Sequence, residues 1–187
     1  MVKKVRSCIF ISGKGSNLKS LIKNSREYNF PIKIALIISN NLNAFGLKYA
    51  KQYNIPFKYY SSTNQHQFER NCLIELKKKK IKFICLAGFM KILSKNFIKN
   101  FGFKILNIHP SLLPHFKGLN THKRVLKSNH IYTGCTVHYV TAKLDSGTII
   151  LKKKVLIKKN ETEKSLKRKV LLQEHKLYSK AIISIFK

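Results

Sequence analysis

Asn107-Ile108-His109-Pro110-Ser111-Leu112-Leu113-Pro114 follows directly on an apolar run at residues 103–106. The run reads as a buried strand, and the two prolines forbid regular structure beyond it. An amide and an imidazole are thereby delivered to a strand end. In an open α/β sheet, ligands bind in the crevice outside the carboxyl ends of the strands, so Asn107 and His109 stand where chemistry is usually done. A capped strand and a rigid loop would use the same residues, and the octapeptide alone does not choose between the two.

Upstream, residues 81–87 form the most apolar strand, expected at the centre, and Gly88-Phe89-Met90-Lys91-Ile92-Leu93 follows it. Such residues close a core or line a pocket for a flat heterocycle. Residues 6–11 read as a first strand, followed by Ser12-Gly13-Lys14-Gly15-Ser16-Asn17 and a helix with Leu18, Leu21 and Ile22 apolar. A glycine-rich turn at a helix N-terminus can seat a phosphate on Gly15, Ser16 and Asn17, although it is neither a dinucleotide fingerprint nor a P-loop. A turn with a Ser or Asn cap is the plainer reading. Residues 31–38 are continuously apolar, as suits a parallel strand covered on both faces. A helix at 44–53, a strand at 55–60 and a helix at 65–80 closed by four lysines complete a βαβα alternation.

Downstream, residues 119–129 read as a helix, and 135–140 and 148–157 as strands with Asp145 in their connection. The last helix starts near Thr162, with Asn160 and Glu163 spaced like a capping box. Its apolar stripe of Leu166, Val170, Leu177 and Ala181 also takes in Glu174. A carboxylate there is costly unless paired, so Glu174 sits at the stripe's margin or reaches a ligand or buried partner. His122 and His138, inside regular patterns, read as hydrogen-bonded structural residues, and His115 as a decoy beside His109. The expected fold is α/β: one Rossmann-like domain over residues 1–187, with a mostly parallel twisted sheet, helices on both faces and an antiparallel strand pair towards the C-terminal half.

With 187 residues and 44% apolar content, the chain can bury one core. No apolar run reaches about 18 residues, and the first five residues show no signal-peptide pattern, so a cytoplasmic protein without membrane association is expected. Cys8, Cys72, Cys85 and Cys135 have neither metal-ligand nor redox-pair spacing. A net charge of +31 suggests nucleic acid. The basic residues are nearly all lysines spread along the chain, which reads as a bias at solvated positions, and no specific nucleic-acid groove is expected. The same bias makes Asp145 informative. It is the only aspartate in the chain, at a turn where the abundant asparagine would serve as well.

The succession of residues 11–18, 86–93, 107–114, 133–138, 144–147 and Gln173-Glu174-His175 resembles the folate-dependent formyltransferases, and within them the phosphoribosylglycinamide formyltransferase family. The resemblance covers nearly the whole chain in order. It implies formyl transfer from 10-formyltetrahydrofolate to the amine of glycinamide ribonucleotide in purine biosynthesis, without a metal, by a monomer or weak homodimer. It further implies that Gly15, Ser16 and Asn17 hold the ribonucleotide phosphate and Glu174 its ribose hydroxyls. Met90, Lys91, Ile92, Leu93, Asn107, Val140, Thr141 and Asp145 would receive the folate, and Asn107, His109 and Asp145 would be catalytic. Asn107 and protonated His109 would stabilise the oxyanion, with Asp145 keeping His109 charged and ordering a water. Two departures fall on the folate side, where Lys91 and Gln65 stand in place of the family's usual arginines.

Three other readings fit part of the pattern. A methionyl-tRNA formyltransferase would give the charge a purpose but needs a further C-terminal domain. A formyltetrahydrofolate deformylase needs a further N-terminal one. A non-catalytic basic RNA-binding module leaves Asn107, His109 and the lone aspartate without a reason.

Overall fold

The computed structural model describes residues 4–186, so the reading of the first five residues falls mostly outside it. The chain divides into two compact units, one ending at Leu106 and one beginning at Asn107.

The first unit alternates β1 (Val5–Ile11), α1 (Ser16–Ser25), β2 (Ile32–Ser39), α2 (Gly46–Gln52), β3 (Phe57–Tyr59), α3 (Gln65–Lys78), β4 (Phe83–Leu86) and α4 (Lys95–Phe101). Its strands lie in the order β3-β2-β1-β4, all parallel, with Val5 opposite Ile32 and Ser7 opposite Phe83. Five successive buried residues at the end of β1, six at the end of β2 and all four of β4 show that both sheet faces are covered, which is why these strands read as unbroken apolar runs. Ser39 closes β2, and Ser12 and the Asn40-Asn41 pair are the first polar groups past the ends of β1 and β2.

Helix α4 was not foreseen from the sequence. Its signals are local: Ser94 caps it by accepting from the Phe97 N–H at 3.0 Å, Phe97 and Phe101 are buried one turn apart, and Gly102 ends it at φ +71°. Helix α3 ends two residues earlier than expected, with Lys80 at φ +53° reversing the chain.

Strand β5 (Ile105–His109) passes from the first unit into the second. It starts two residues later than the apolar run, because Phe103 is 49% exposed, and it includes Asn107 and His109 as members. Then come α5 (Thr121–Leu126), β6 (Tyr132–Tyr139), β7 (Ile149–Leu156) and α6 (Glu163–Ile185). The order here is β5-β6-β7. β6 and β7 are antiparallel, with a register shift between Val137 and His138. β7 is outermost and carries Lys152, Lys153 and Lys154 at its middle. On α6 the N-cap is Thr162, whose hydroxyl accepts from the Ser165 N–H at 3.2 Å. Asn160, at φ +62°, belongs to the preceding turn and makes no capping box with Glu163. The stripe from Leu166 to Ile182 is buried, Glu174 included at 6% exposure. All four cysteines are buried, and none forms a disulfide among the described residues. No helix among the described residues is long and apolar enough to cross a membrane.

Candidate active site

Asn107 and His109 lie two residues apart on β5, so their side chains leave the same face of the strand. Asp145 reaches them from the β6–β7 connection. The close of that connection is fixed by Gly147, where a Cβ would fall 1.8 Å from the Tyr139 carbonyl oxygen. Asp145 Oδ2 sits 3.3 Å from His109 Nδ1, both side chains being 6% exposed, and accepts from the Gly118 N–H at 2.8 Å. Its Oδ1 accepts from Asn107 Nδ2 at 3.5 Å and lies 3.6 Å from His138 Nε2.

His138 therefore belongs to this cluster, with its Nε2 also 3.3 Å from Asn107 Nδ2. His138 is hydrogen-bonded, as its place inside a strand pattern suggests, and it is so beside Asn107 and Asp145. Its Nδ1 faces the Tyr139 carbonyl at 2.9 Å. A carbonyl can only accept, so Nδ1 carries a hydrogen and Nε2 is the atom turned to Asn107 and Asp145. His109 is likewise fixed, with Nε2 donating to the Phe116 carbonyl at 2.8 Å. Phe116 (φ +56°) and Asp145 (φ +44°) both hold left-handed backbone at this cluster, a conformation uncommon outside glycine.

The electrostatics differ from the expectation in one respect. Burial lowers the His109 pKa below the ordinary histidine value; the Phe116 carbonyl and the Asp145 charge raise it, His138 and Arg124 lower it, and the net direction is down. Asp145 does act on His109 in the expected sense, but desolvation is the larger effect. On Asp145 itself burial raises the pKa, and the hydrogen bonds from His138 and Gly118 with the two imidazole charges outweigh it. His109 Nδ1 faces the Asp145 carboxylate and Nε2 the Phe116 carbonyl, both acceptors, so the geometry suits a hydrogen on each nitrogen while burial opposes the charge. His115 lies in the loop after β5, its ring 5.6 Å from that of His130. His122, on α5, is also pushed down in pKa by burial.

In the second unit Glu174 is buried on α6, and its charge adds to burial in pushing the Cys135 thiol up to about 12. Val140 is half-buried and Thr141 exposed, with the Thr141 hydroxyl donating to the Lys143 carbonyl at 3.1 Å.

In the first unit Gly15 holds φ +73° as the N-cap of α1, which has no side-chain cap and no acidic residue in its first turn. A Cβ at Gly15 would lie 2.6 Å from Gly46 Cα, so no other residue fits without moving the turn. The helix start with Ser16 and Asn17 thus keeps its positive end unopposed, as anion binding requires. Met90, Lys91 and Ile92 are exposed, whereas Leu93 is in the core at 2% and has only its backbone to offer. A narrow cavity of about 30 Å³ lies among Ser62, Gln65, Phe68, Glu69, Lys91 and Ile92. Gln65 turns its amide nitrogen to Glu69 Oε1 and to the Ile92 carbonyl, each at 3.0 Å.

The model of the formyl transferase family matches residues 5–182. The chain is 42% identical over 183 residues to the trifunctional purine biosynthetic protein adenosine-3 of Homo sapiens, a match spanning 96% of this chain and 18% of that protein. It is 38% identical over 176 residues to the phosphoribosylglycinamide formyltransferase of Haemophilus influenzae, covering 91% of this chain and 82% of that one. The crystal structure of phosphoribosylglycinamide formyltransferase from Brucella melitensis superposes with a TM-score of 0.93 at 39% identity, over 98% of this chain and 96% of that one. The α/β succession, the polar cluster at the end of β5 and the family match over nearly all of its length place this chain in the formyl transferase family.

Proposed function

We propose that this chain, acting as one formyltransferase domain in the cytoplasm, transfers the formyl group of 10-formyltetrahydrofolate to the primary amine of glycinamide ribonucleotide. The observation that carries this reading is the convergence of Asn107, His109 and Asp145 in a chain whose relatives of similar length are named phosphoribosylglycinamide formyltransferase. Its partners are these two small molecules, and the chain works as a monomer or weak homodimer.

The substrate amine attacks the formyl carbon, forming a C–N bond and placing the carbonyl electron pair on oxygen. The Asn107 amide donates to that oxyanion, and so does His109 Nε2–H once it leaves the Phe116 carbonyl. Such donors contribute roughly 3 kcal/mol each. Protonated His109, its Nδ1–H held beside Asp145, makes this donation and keeps both ring protons; the proton that water takes from the amine is the one returned to the folate nitrogen. Asp145 orders a water that takes the proton from the attacking amine. Collapse re-forms the carbonyl, breaks the bond to the folate nitrogen and returns a proton to it.

Gly15, Ser16 and Asn17 are assigned to the phosphate, Glu174 to the ribose hydroxyls, and Met90, Lys91, Ile92, Leu93, Val140 and Thr141 with Asn107 and Asp145 to the folate. The test is formyl transfer to the ribonucleotide with charged initiator tRNA and water as competing acceptors. Transfer to the ribonucleotide that disappears in Asn107→Ala supports the reading; transfer only to tRNA or water refutes the acceptor assignment.

A further inference from the structure

Between β4 and α4 the chain leaves Met90 62% and Ile92 54% exposed, although both are apolar and border the core. Hydrogen bonds hold this stretch out at both ends. At the near end, Ser12 N–H donates to the Gly88 carbonyl at 3.1 Å. The Ser12 hydroxyl accepts from Met90 N–H at 2.8 Å and donates to Asn40 Oδ1 at 2.7 Å. Asn40 and Asn41 secure that hub in turn, through Ser62 Oγ and the Ser12 carbonyl, each at 3.1 Å.

At the far end stands Glu69, a carboxylate only 7% exposed that the chemistry above does not use. It accepts from Ser94 N–H at 2.7 Å, from the Ser94 hydroxyl and from Gln65 Nε2 at 3.0 Å. The same Gln65 nitrogen holds the Ile92 carbonyl. Beneath the stretch, Phe89 stacks on Phe68 at 5.9 Å and meets Phe10 edge-on at 5.4 Å.

A buried carboxylate is costly to keep unless each oxygen is satisfied. Here each of these donors to Glu69 either belongs to residues 88–94 or braces them. We propose that Ser12 and Glu69 are positioning residues for the formyl donor: they hold the backbone of residues 88–94 in its ligand-binding shape before the ligand arrives. The proposal rests on the assignment of Met90, Lys91 and Ile92 to that co-substrate. Ordering cost that would otherwise weaken binding is then met during folding.

The variants S12A and E69Q, with S12T as the hydroxyl-retaining control, test this. In S12A and E69Q the KM for the formyl donor rises about five- to twentyfold, while kcat and the KM for the ribonucleotide stay within about twofold. Amides of residues 88–94 exchange hydrogen faster in both variants, measured without substrate. S12T restores the donor KM. S12A keeps the test available should E69Q fail to fold. A donor KM unmoved in S12A, or equal rises in both KM values, overturns the proposal. A wild-type chain with no formyl transfer refutes the functional reading instead, and the exchange data then still decide whether these residues hold the loop.

Discussion

Replacing Asp145 by Asn changes almost no volume but reverses the polarity of the cluster. The carboxylate is the acceptor for Gly118 N–H, faces His109 Nδ1 at 3.3 Å and receives Asn107 Nδ2. An amide satisfies Gly118 with its oxygen and then turns an NH₂ towards Asn107 and His138, both of which already approach that position. The larger loss is electrostatic. When His109 becomes an imidazolium, its attraction to a carboxylate 3.3 Å away is worth about 5 kcal/mol at an effective dielectric of about 20. Part of this is offset by water reaching the site in the variant, leaving about 3–4 kcal/mol of lost transition-state stabilisation, or about 100- to 1,000-fold in kcat. The fold should hold, since the Gly118 bond survives and a single neutral hydrogen bond is worth only about 1 kcal/mol. The assay is steady-state formyl transfer across pH, with thermal melting alongside. Without the Asp145 charge the His109 pKa drops further, so the limb of the kcat profile that reports its proton moves to lower pH. A kcat within about tenfold of wild type, in a variant that melts normally, would refute the assigned role of Asp145.

Other outcomes follow from burial and backbone geometry. His109, His122 and His175 all have pKa values lowered by burial from 6.5; the unfolded chain therefore binds more protons just below that value. Their contribution to stability is complete above it and is lost as pH falls towards the folded values, so Tm should be lower at about pH 5 than at about pH 7.5, and a flat or inverted profile counts against it. Gly15→Ala places a Cβ against Gly46 at φ +73°; it should cost about 2 kcal/mol or more and raise the KM for the ribonucleotide, which titration of both variant and wild type would read. The four buried thiols should react with a disulfide reagent only after denaturation, and rapid labelling of the native protein would contradict their placement.

Much of this architecture is legible in the sequence because parallel strands covered on both faces leave continuous apolar runs, as at β1, β2 and β4. The polar strand ends are equally visible, since Asn107, His109 and Ser12 interrupt those runs. Helix α4 is only seven residues long and follows directly on a stretch that reads as a pocket wall, so its main sequence signals are the caps Ser94 and Gly102. The spacing of Asn160 and Glu163 matches a capping box, but the left-handed backbone at Asn160 commits it to the turn and Thr162 is the cap. His138 is a different case. Which strand faces which, and where a register shift falls, depends on pairing between distant segments, and no local pattern distinguishes a histidine facing Asp145 from one facing the core. The Phe116 carbonyl and Gly118 N–H are backbone groups, beyond the reach of any reading by side-chain type.

The outermost strand gives the high positive charge a use that requires no ligand. An edge strand of eight residues is a template on which a second copy could add and begin to aggregate. If two β7 strands paired antiparallel about Lys153, that residue would face its own copy, and Lys152 of each chain would face Lys154 of the other. Six ammonium groups would then crowd one ladder, and like charges directly opposite are destabilising. The three lysines at the middle of β7 thus make a poor template for a second copy of the same strand.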